Sequence, residues 1–318
     1  MSILVQSLLL QSGYNAALVT IGASILGAAA GGVGVFLFLR KRALISDAMS
    51  HATLPGIGIA FLIMVACGGD GRHLIGLLIG ASVSAIIGLL MVEWITHKTR
   101  LPEDAAIGAV LSVFFGLGIV ILTFIQTMSV GRQAGLQGFL LGSTAGMLFE
   151  DAVIIAVSGL IAGCILFAFR RPITLVTFDA EYAQALGYPV RIIDLLVMLL
   201  ALSITVIGLK VVGLILIVAL LIIPAVTARF WTQRSDYMLL IAAFVGAFSS
   251  FMGAALSASF PKVPTGSMIV VVCFTLFMLS LFFAPQRGVI AGSLQYMRAR
   301  KLVRSGTLSS FPRTLDER

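Results

Sequence analysis

Long apolar segments separated by short polar connections run along almost all of this 318-residue chain. A helix needs about 20 mostly apolar residues to cross a lipid bilayer. Nine segments meet or approach this length: 15–39, 46–67, 74–93, 104–125, 152–169, 192–208, 212–230, 238–259 and 267–284. The two segments around Lys210 can be divided differently. The pattern therefore predicts an all-α polytopic membrane bundle of about eight or nine transmembrane helices.

The positive charges are distributed unevenly among the connections between these segments. If residues 1–14 lie outside and the helices alternate, 17 of the 21 lysines and arginines fall in inside loops or in the region after residue 286. Lys and Arg are enriched in cytoplasmic loops of membrane proteins. We therefore expect an outside N-terminus, a cytoplasmic C-terminus and an odd number of helices. Residues 1–285 would form the transmembrane domain and residues 286–318 a cytoplasmic tail.

The amino-acid composition supports the membrane assignment and argues against a soluble, nucleic-acid-binding or disulfide-stabilised protein. The chain is 59% hydrophobic and 11% charged, with a mean hydropathy of +1.11, whereas soluble domains carry about 25% charged residues. The net charge of +8 follows from the basic loops, so we expect the lipid bilayer and no nucleic acid as a partner. The three cysteines lie in apolar segments without CxxC spacing, which argues against a disulfide framework or thiolate site.

One polar pair interrupts the apolar pattern near the start of the second segment. Asp47 and His51 are four residues apart, so both side chains point from the same face of a helix. Ionisable residues in a membrane segment are costly and indicate function. A carboxylate and an imidazole suit Mn²⁺, Fe²⁺ or Zn²⁺. The residues alone also allow a structural hydrogen bond, a proton relay, or an aspartate solvated beside Arg40 and Arg42.

A second candidate is a short polar segment between two apolar ones. Asp179 is a suitable N-cap, Glu181 follows in the first turn, Gly187 suits the C-terminal end and Pro189 prevents continuation. These signals predict a helix of about two turns in a cytoplasmic loop. It is either a connector on the membrane surface or a rigid docking element for a cytoplasmic partner.

Further features of the sequence concern helix packing, the outer loop and two ionisable residues at segment ends. Gly27 and Gly31 have GxxxG spacing, which favours close packing within the chain over a subunit interface. The apolar loop from Gln126 to Asp151 predicts short or re-entrant helices at the outer mouth, with Glu150 and Asp151 at a solvated rim. Asp194 and Lys210 are expected to extend to the membrane interface.

The sequence also lacks the features of an autonomous pump. No GxxxxGK[ST] phosphate-binding loop occurs in it. The two halves contain no clear inverted repeat, which weakens assignment as a secondary transporter. We therefore expect no enzymatic activity in this chain, and any ATP hydrolysis would occur on a separate subunit.

Four stretches together resemble the permease subunits of ABC transporters for manganese, zinc and iron, the ABC-3 family. They are DAMSHATLPG at 47–56, FDAEYAQALG at 178–187, VGLILIVALLIIPA at 212–225 and PTGSMI at 264–269. The likeness extends over about residues 15–285, in the order found in the family. It implies a fold like that of type II ABC importers, in a bacterial plasma (inner) membrane.

The resemblance also implies partners and residue roles. The permease would pair with a second permease subunit, identical or paralogous, and with two cytoplasmic ABC ATPase subunits, and an extracytoplasmic metal-binding protein would deliver the ion. Asp47 and His51 would coordinate the metal in the permeation path. The coupling helix that contacts the ATPase would contain Asp179, Ala180, Glu181, Tyr182, Ala183, Ala185, Leu186 and Gly187.

The amino-acid sequence of the 47–56 stretch indicates which metal is transported. A Pro-Gly after the Asp/His pair, and alanine directly after Asp47, look like the manganese and iron branch of the family rather than the zinc branch. We therefore expect transported Mn²⁺, with Fe²⁺ or Zn²⁺ as alternatives, and no permanently bound cofactor. Two other functions remain open: an ABC permease for an iron chelate or cobalamin, and a proton-coupled secondary metal carrier.

Overall fold

The computed structural model describes residues 6, 9, 11, 13–69, 71, 73–127, 147–260, 263–285 and 288–291. Ten helices are described between Tyr14 and Phe283. They are α1 (Tyr14–Leu39), α2 (Ala43–Ala66), α3 (Leu74–Lys98), α4 (Glu103–Thr127), α5 (Phe149–Phe178), α6 (Ala180–Ala185), α7 (Val190–Val212), α8 (Leu214–Trp231), α9 (Ser235–Ser259) and α10 (Thr265–Phe283). The all-α class is confirmed for this part of the chain.

Each of the nine predicted apolar segments forms the body of one helix. Among the residues that the structure describes, eight helices are long and apolar enough to cross a membrane, and α8 is a shorter apolar helix of 18 residues. Only Gly213 separates α7 from α8, and its φ of 81° lies in the left-handed region where glycine is favoured. At its other end, Trp231 Nε1 donates to Ser280 Oγ near the end of α10, at 2.9 Å. The end of α8 therefore lies beside the end of α10. An odd number of membrane-crossing helices stays a prediction.

The fifth long helix differs from its prediction at its C-terminal end. The apolar segment was expected to end near residue 169, with Arg170, Arg171 and Pro172 in a loop, but α5 continues to Phe178. The last turns bury Ile173 and Val176 against the bundle. Apolar burial of this kind compensates for the single backbone hydrogen bond that Pro172 cannot make.

Two groups of helices build the bundle. In the first, α1 packs most extensively on α9, and it also contacts α5 and α8. In the second, α2 packs against α3 and α4. Helix α7 contacts members of both groups, including α1, α2, α3 and α5. The buried apolar core follows these contacts as one large cluster.

The GxxxG pair packs inside the chain, as predicted. A Cβ atom at Gly27 would overlap the backbone carbonyl of Gly246 on α9, and one at Gly31 would overlap that of Ala242. Small residues allow helix backbones to approach closely where lipid gives no hydrophobic driving force. Gly27 and Gly31 therefore set the distance between α1 and α9 within one subunit.

We expect Gly27→Ala to destabilise the fold, while Gly32→Ala does not. The new methyl group at position 27 meets a backbone carbonyl that can move only if α1 and α9 separate, at a cost of about 1–3 kcal/mol. A Cβ at Gly32 meets no atom within 4 Å, and alanine favours the helix. Thermal unfolding of the two variants in the same detergent measures the difference. Equal melting temperatures would contradict this account of the α1–α9 contact.

Ionic contacts between helices concentrate at one end of the bundle, which we call the charged end. Arg42 Nε lies 2.7 Å from Glu103 Oε1 at the start of α4. Arg191 Nε, at the start of α7, lies 2.8 Å from Glu93 Oε1 on α3. The basic residues that were assigned to inside loops thus gather on one side. That this side is cytoplasmic remains a prediction.

Asp194 and Asp151 are used differently from the sequence-based expectation. Asp194 does not extend alone to the interface, because it pairs with Arg40 and lies 3.7 Å from Arg42. Asp151 is 5% exposed, and its carboxylate accepts a hydrogen bond from the Leu148 N–H at 3.0 Å. It therefore caps α5, where a negative charge is favourable, and does not form a solvated rim.

Several other expectations lie outside the described residues. The first is the pair of expected helices between Gln126 and Asp151, because residues 128–146 are not described. The others are most of the tail 286–318 and the side chain of Lys210. Glu150 begins α5, as an exposed residue.

Candidate metal site and docking helix

Asp47 and His51 lie on one face of α2, one and two turns from its start at the charged end. His51 Nε2 is 3.4 Å from Asp47 Oδ1. The Asp47 side chain is 39% exposed and that of His51 is 20% exposed. The predicted pairing on one helical face is therefore present, and it is accessible from outside the chain.

The geometry of the pair fits a transition-metal ion. Two ligand atoms that each lie about 2.1 Å from one ion are separated by about 3.0–3.4 Å at octahedral or tetrahedral angles. The observed 3.4 Å between Nε2 and Oδ1 is in this range without rearrangement. The described residues contain no cluster of three or more His, Cys, Asp or Glu. Within the described ranges, Asp47 and His51 are thus a candidate pair of ligands without a third such side chain beside them.

Helix α4 fixes the orientation of the imidazole ring. The rings of His51 and Phe115 pack in an edge-to-face arrangement, with their centroids 4.9 Å apart and their planes at 78°. Three residues further along α4, a Cβ at Gly118 would overlap Leu54 and touch Pro55 on α2. Phe115 could not be identified from the sequence, because nothing in its apolar context distinguishes it from the other phenylalanines of the membrane segments.

The opposite face of α2 is held by α3. Ser84 Oγ donates to the backbone carbonyl of Ala52 at 2.7 Å. A Cβ at Gly56 would overlap the carbonyl oxygen of Gly80, so the two backbones are in direct contact. With α3 on one side and α4 on the other, the backbone that carries Asp47 and His51 is supported on two faces.

Pro55 adds a polar group next to the pair. Its nitrogen carries no hydrogen, so it cannot donate the helical hydrogen bond to the carbonyl of His51 four residues earlier. Membrane helices tolerate such a carbonyl where neighbouring helices or water can satisfy it. His51 Nδ1 is also buried without a hydrogen-bond partner among the described residues. This part of α2 is therefore more polar than its sequence suggests.

The arginines just before α2 do not oppose a cation at this position. Arg40 pairs with Asp194, and Arg42 pairs with Glu103. Each positive charge is thus balanced by a carboxylate from another helix. The interpretation of Asp47 as an aspartate solvated by these arginines loses its basis, because the arginines have other partners.

A second carboxylate and histidine pair with the same spacing lies on α3 and provides a comparison. His97 Nε2 is 3.9 Å from Glu93 Oε1. The same Glu93 oxygen accepts a hydrogen bond from Arg191 Nε at 2.8 Å, so its charge is already neutralised. An arginine at this distance disfavours a metal cation, which distinguishes this pair from Asp47 and His51.

The predicted loop helix is present as α6. Asp179 accepts a hydrogen bond from the Tyr182 N–H at 2.9 Å as the N-cap. Gly187, with φ of 85°, follows the last turn, and the Tyr188 N–H donates to the Ala183 carbonyl at 3.0 Å. These are the cap and the Schellman-type ending that the sequence indicated. Ala183 is fully buried, while Glu181, Tyr182, Ala185 and Leu186 are exposed.

Arg40 connects α6 to the start of α2. Its Nη1 donates to the carbonyl of Val176, in the last turn of α5, at 2.9 Å. Its Nη2 pairs with Asp194 near the start of α7. Because α6 lies between α5 and α7, Arg40 binds both segments that hold it. Arg40 is also three residues before α2, and so it links the segments on either side of α6 to the helix of the candidate metal site.

Comparison with known proteins finds membrane proteins of metal transport systems among the relatives of this chain. The model of the ABC 3 transport family matches residues 14–284. A manganese transport system membrane protein, MntC of Bacillus subtilis, is 39% identical over 287 residues, which are 90% of this chain and 65% of that protein. A zinc transport system membrane protein, TroC of Treponema pallidum, is 36% identical over 88% of this chain and 92% of that protein.

A solved structure shares the fold. PsaBC from Streptococcus pneumoniae, in complex with an Fab fragment, superposes with a TM-score of 0.75 at 31% sequence identity. The likeness covers 87% of this chain and 95% of the PsaBC chain. The chain spans less than two thirds of the Bacillus subtilis relative but nearly all of the PsaBC chain.

Proposed function

This chain belongs to the ABC 3 transport family, and we propose from that premise that it is the membrane-spanning permease of an ATP-driven importer of divalent transition-metal ions. The observation that carries the proposal is the Asp47–His51 pair. It lies on a membrane helix, its ligand atoms are 3.4 Å apart, and the neighbouring arginines are paired elsewhere. The ion is the transported substrate, and the permease itself is not an enzyme.

We propose Mn²⁺ as the main substrate, with Zn²⁺ and Fe²⁺ as alternatives. The relatives named above include one for manganese and one for zinc, so their names alone do not select the metal. One carboxylate and one imidazole from each chain form a harder donor set than the thiolates of many tight zinc sites. The alanine after Asp47 and the Pro-Gly at 55–56 also favour manganese.

The site would be completed by a second permease subunit. Two ligands from one chain are too few for either metal, and the exposed faces of Asp47 and His51 allow another subunit to approach. A second copy related by a twofold axis would add an identical pair, giving four protein ligands. A paralogous subunit with the same pair would do the same.

ATP hydrolysis would reach the site through α6. A cytoplasmic ATPase would bind the exposed side chains of this helix, which include Tyr182 and Leu186. Movement of α6 would act on Val176 and Asp194, and through Arg40 on the start of α2. Closure of the ATPase subunits would thus shift the start of α2 between two positions, one that opens the metal path and one that closes it. The charged end would face the cytoplasm, and an extracytoplasmic metal-binding protein would dock at the other end.

The test is metal uptake by the complete complex in proteoliposomes. Radioactive Mn²⁺ should accumulate when ATP is supplied to the ATPase side, and unlabelled Mn²⁺, Zn²⁺ and Fe²⁺ should compete in order of preference. A dissipated proton gradient should leave uptake unchanged. Uptake that requires the gradient and not ATP would instead support a secondary carrier. Transport of an iron chelate or cobalamin without free-metal uptake would support the other alternative.

A further inference from the structure

An apolar groove runs along the membrane-facing side of the first helix group. Residues of α1, α5 and α9 line it, and its cavity volume is about 660 Å³. Small residues form its floor. A Cβ at Gly32 or at Gly163 would meet no atom within 4 Å, whereas Gly159 lies in contact with Ala29 and Ile25 where α1 and α5 approach each other. The absence of side chains at Gly32 and Gly163 thus creates the open space.

The size and the walls of this groove suit an apolar ligand. Ligand pockets in proteins commonly have volumes of about 300–1,000 Å³. Leu160, Phe167 and Leu240 line the groove and are exposed, so it opens sideways. A groove that opens sideways between membrane-spanning helices is in contact with lipid acyl chains. The ligand that is present there at the highest concentration is therefore a lipid.

One end of the groove carries a positive charge. Arg170 lines it, with its guanidinium carbon 4.7 Å from the centre of the Phe167 ring. Arg170 is 21 residues after Phe149 at the start of α5, or about 32 Å along the helix. The hydrocarbon core of a bilayer is about 30 Å thick. The guanidinium group therefore lies at the level of the lipid head groups.

The charges around Arg170 favour an anion. Arg171 follows it as an exposed residue, and Arg234 lies at the start of α9, over the ring of Tyr237. The opposing carboxylate is Asp236, whose Oδ1 is 4.0 Å from Arg170 Nη1 and whose side chain is 73% exposed. An exposed pair at this distance binds weakly, so Arg170 can bind a second anionic group. Three cations against one carboxylate leave this end positive.

We propose that the groove binds one anionic phospholipid of the surrounding bilayer. An acyl chain lies over Gly32 and Gly163, and the phosphate is bound by Arg170, with Arg171 and Arg234 adding positive potential. Basic pockets between membrane helices bind anionic lipid head groups in this way. The groove is separate from the candidate metal site, because its lining comes from α1, α5 and α9 and does not include Asp47.

Native mass spectrometry of the full chain in a mild detergent tests the site. Phosphatidylglycerol and phosphatidylcholine with the same acyl chains are titrated separately, and the fraction of chains with bound lipid is measured. Phosphatidylglycerol should bind more tightly. Arg170→Gln should weaken its binding about tenfold, as expected for one charge-assisted contact, and leave phosphatidylcholine unchanged. Gly163→Leu should fill the groove and remove this binding event for both lipids.

Two matched controls separate the groove from general effects. Lys98→Gln removes one exposed positive charge at the same end of the bundle, and Cys164→Leu adds bulk to the neighbouring exposed position of α5. Both should bind lipid like the unaltered chain. Unchanged phosphatidylglycerol binding in Arg170→Gln, or equal affinity for the two lipids, would overturn the proposal. Arg170 is half-exposed, so its replacement keeps the test valid even if Gly163→Leu does not fold.

Discussion

Replacing either Asp47 or His51 with alanine is expected to reduce metal uptake by about 100-fold or more. Changes in groups that only support a metal ligand already cost about 10- to 100-fold in metal affinity or activity, and in the proposed site each substitution removes one of two ligands per chain. Asp47→Asn should have nearly the same effect, because it keeps the size of the side chain and removes its charge. Radiometal uptake into proteoliposomes, compared at equal amounts of reconstituted complex, measures the loss.

The matched control for this prediction is His97→Ala. His97 has the same four-residue spacing from a carboxylate, but Glu93 is bound by Arg191. The His97 side chain is exposed, and substitutions at exposed positions without buried contacts have little effect on stability. Uptake by His97→Ala should therefore remain within about twofold of that of the unaltered protein. If His51→Ala retained full uptake, the site assignment would be wrong. If His97→Ala were as inactive as His51→Ala, the loss of uptake in His51→Ala would not show that His51 lies on the path of the metal.

Replacing Arg40 with glutamine is expected to separate ATP hydrolysis from metal uptake. The guanidinium group binds the Val176 carbonyl and Asp194 at once, and its side chain is 18% exposed. Loss of one partner of a largely buried ion pair costs about 3 kcal/mol. Movement of α6 would then no longer be transmitted to the start of α2. We expect the number of metal ions transported per ATP hydrolysed to fall at least about tenfold.

Two further variants distinguish coupling from folding. Arg40→Lys keeps the charge but lacks the planar fork that reaches two acceptors, so it should fold and still lose part of the coupling. Lys41→Gln alters the adjacent exposed residue and should behave like the unaltered protein. Transported metal and released phosphate are measured in the same proteoliposomes. A normal ratio in both Arg40 variants would show that the signal from α6 takes another route.

The helices could be predicted from the sequence because their apolar segments are long and their ends are marked by local signals. The caps of α6 are an example, since Asp179 and Gly187 act on backbone groups within a few residues. The continuation of α5 beyond Pro172 could not be predicted in this way. It depends on the burial of Ile173 and Val176 and on a hydrogen bond from Arg40, which is 136 residues away from Val176 in the chain.

The pairing of Asp47 and His51 was predictable from the sequence, whereas the surroundings of the pair were not. Four-residue spacing places Asp47 and His51 together on any helix, whatever packs beside it. The contact between Phe115 and His51 and the pairing of Arg42 with Glu103 depend on how α2 and α4 meet. The equivalent spacing of Glu93 and His97 shows the limit of the pattern, because only the position of Arg191 distinguishes the two pairs.

The way α6 is attached to the bundle has a consequence for the evolution of transport systems. Its attachment depends on Ala183, on the cap at Asp179 and on the turn at Gly187. The side chains at positions 181, 182, 185 and 186 are free to change without disturbing the membrane helices. Under the proposed docking role of α6, these four exposed positions would select the ATPase, and grafting them between two such permeases should exchange the ATPases that the permeases accept.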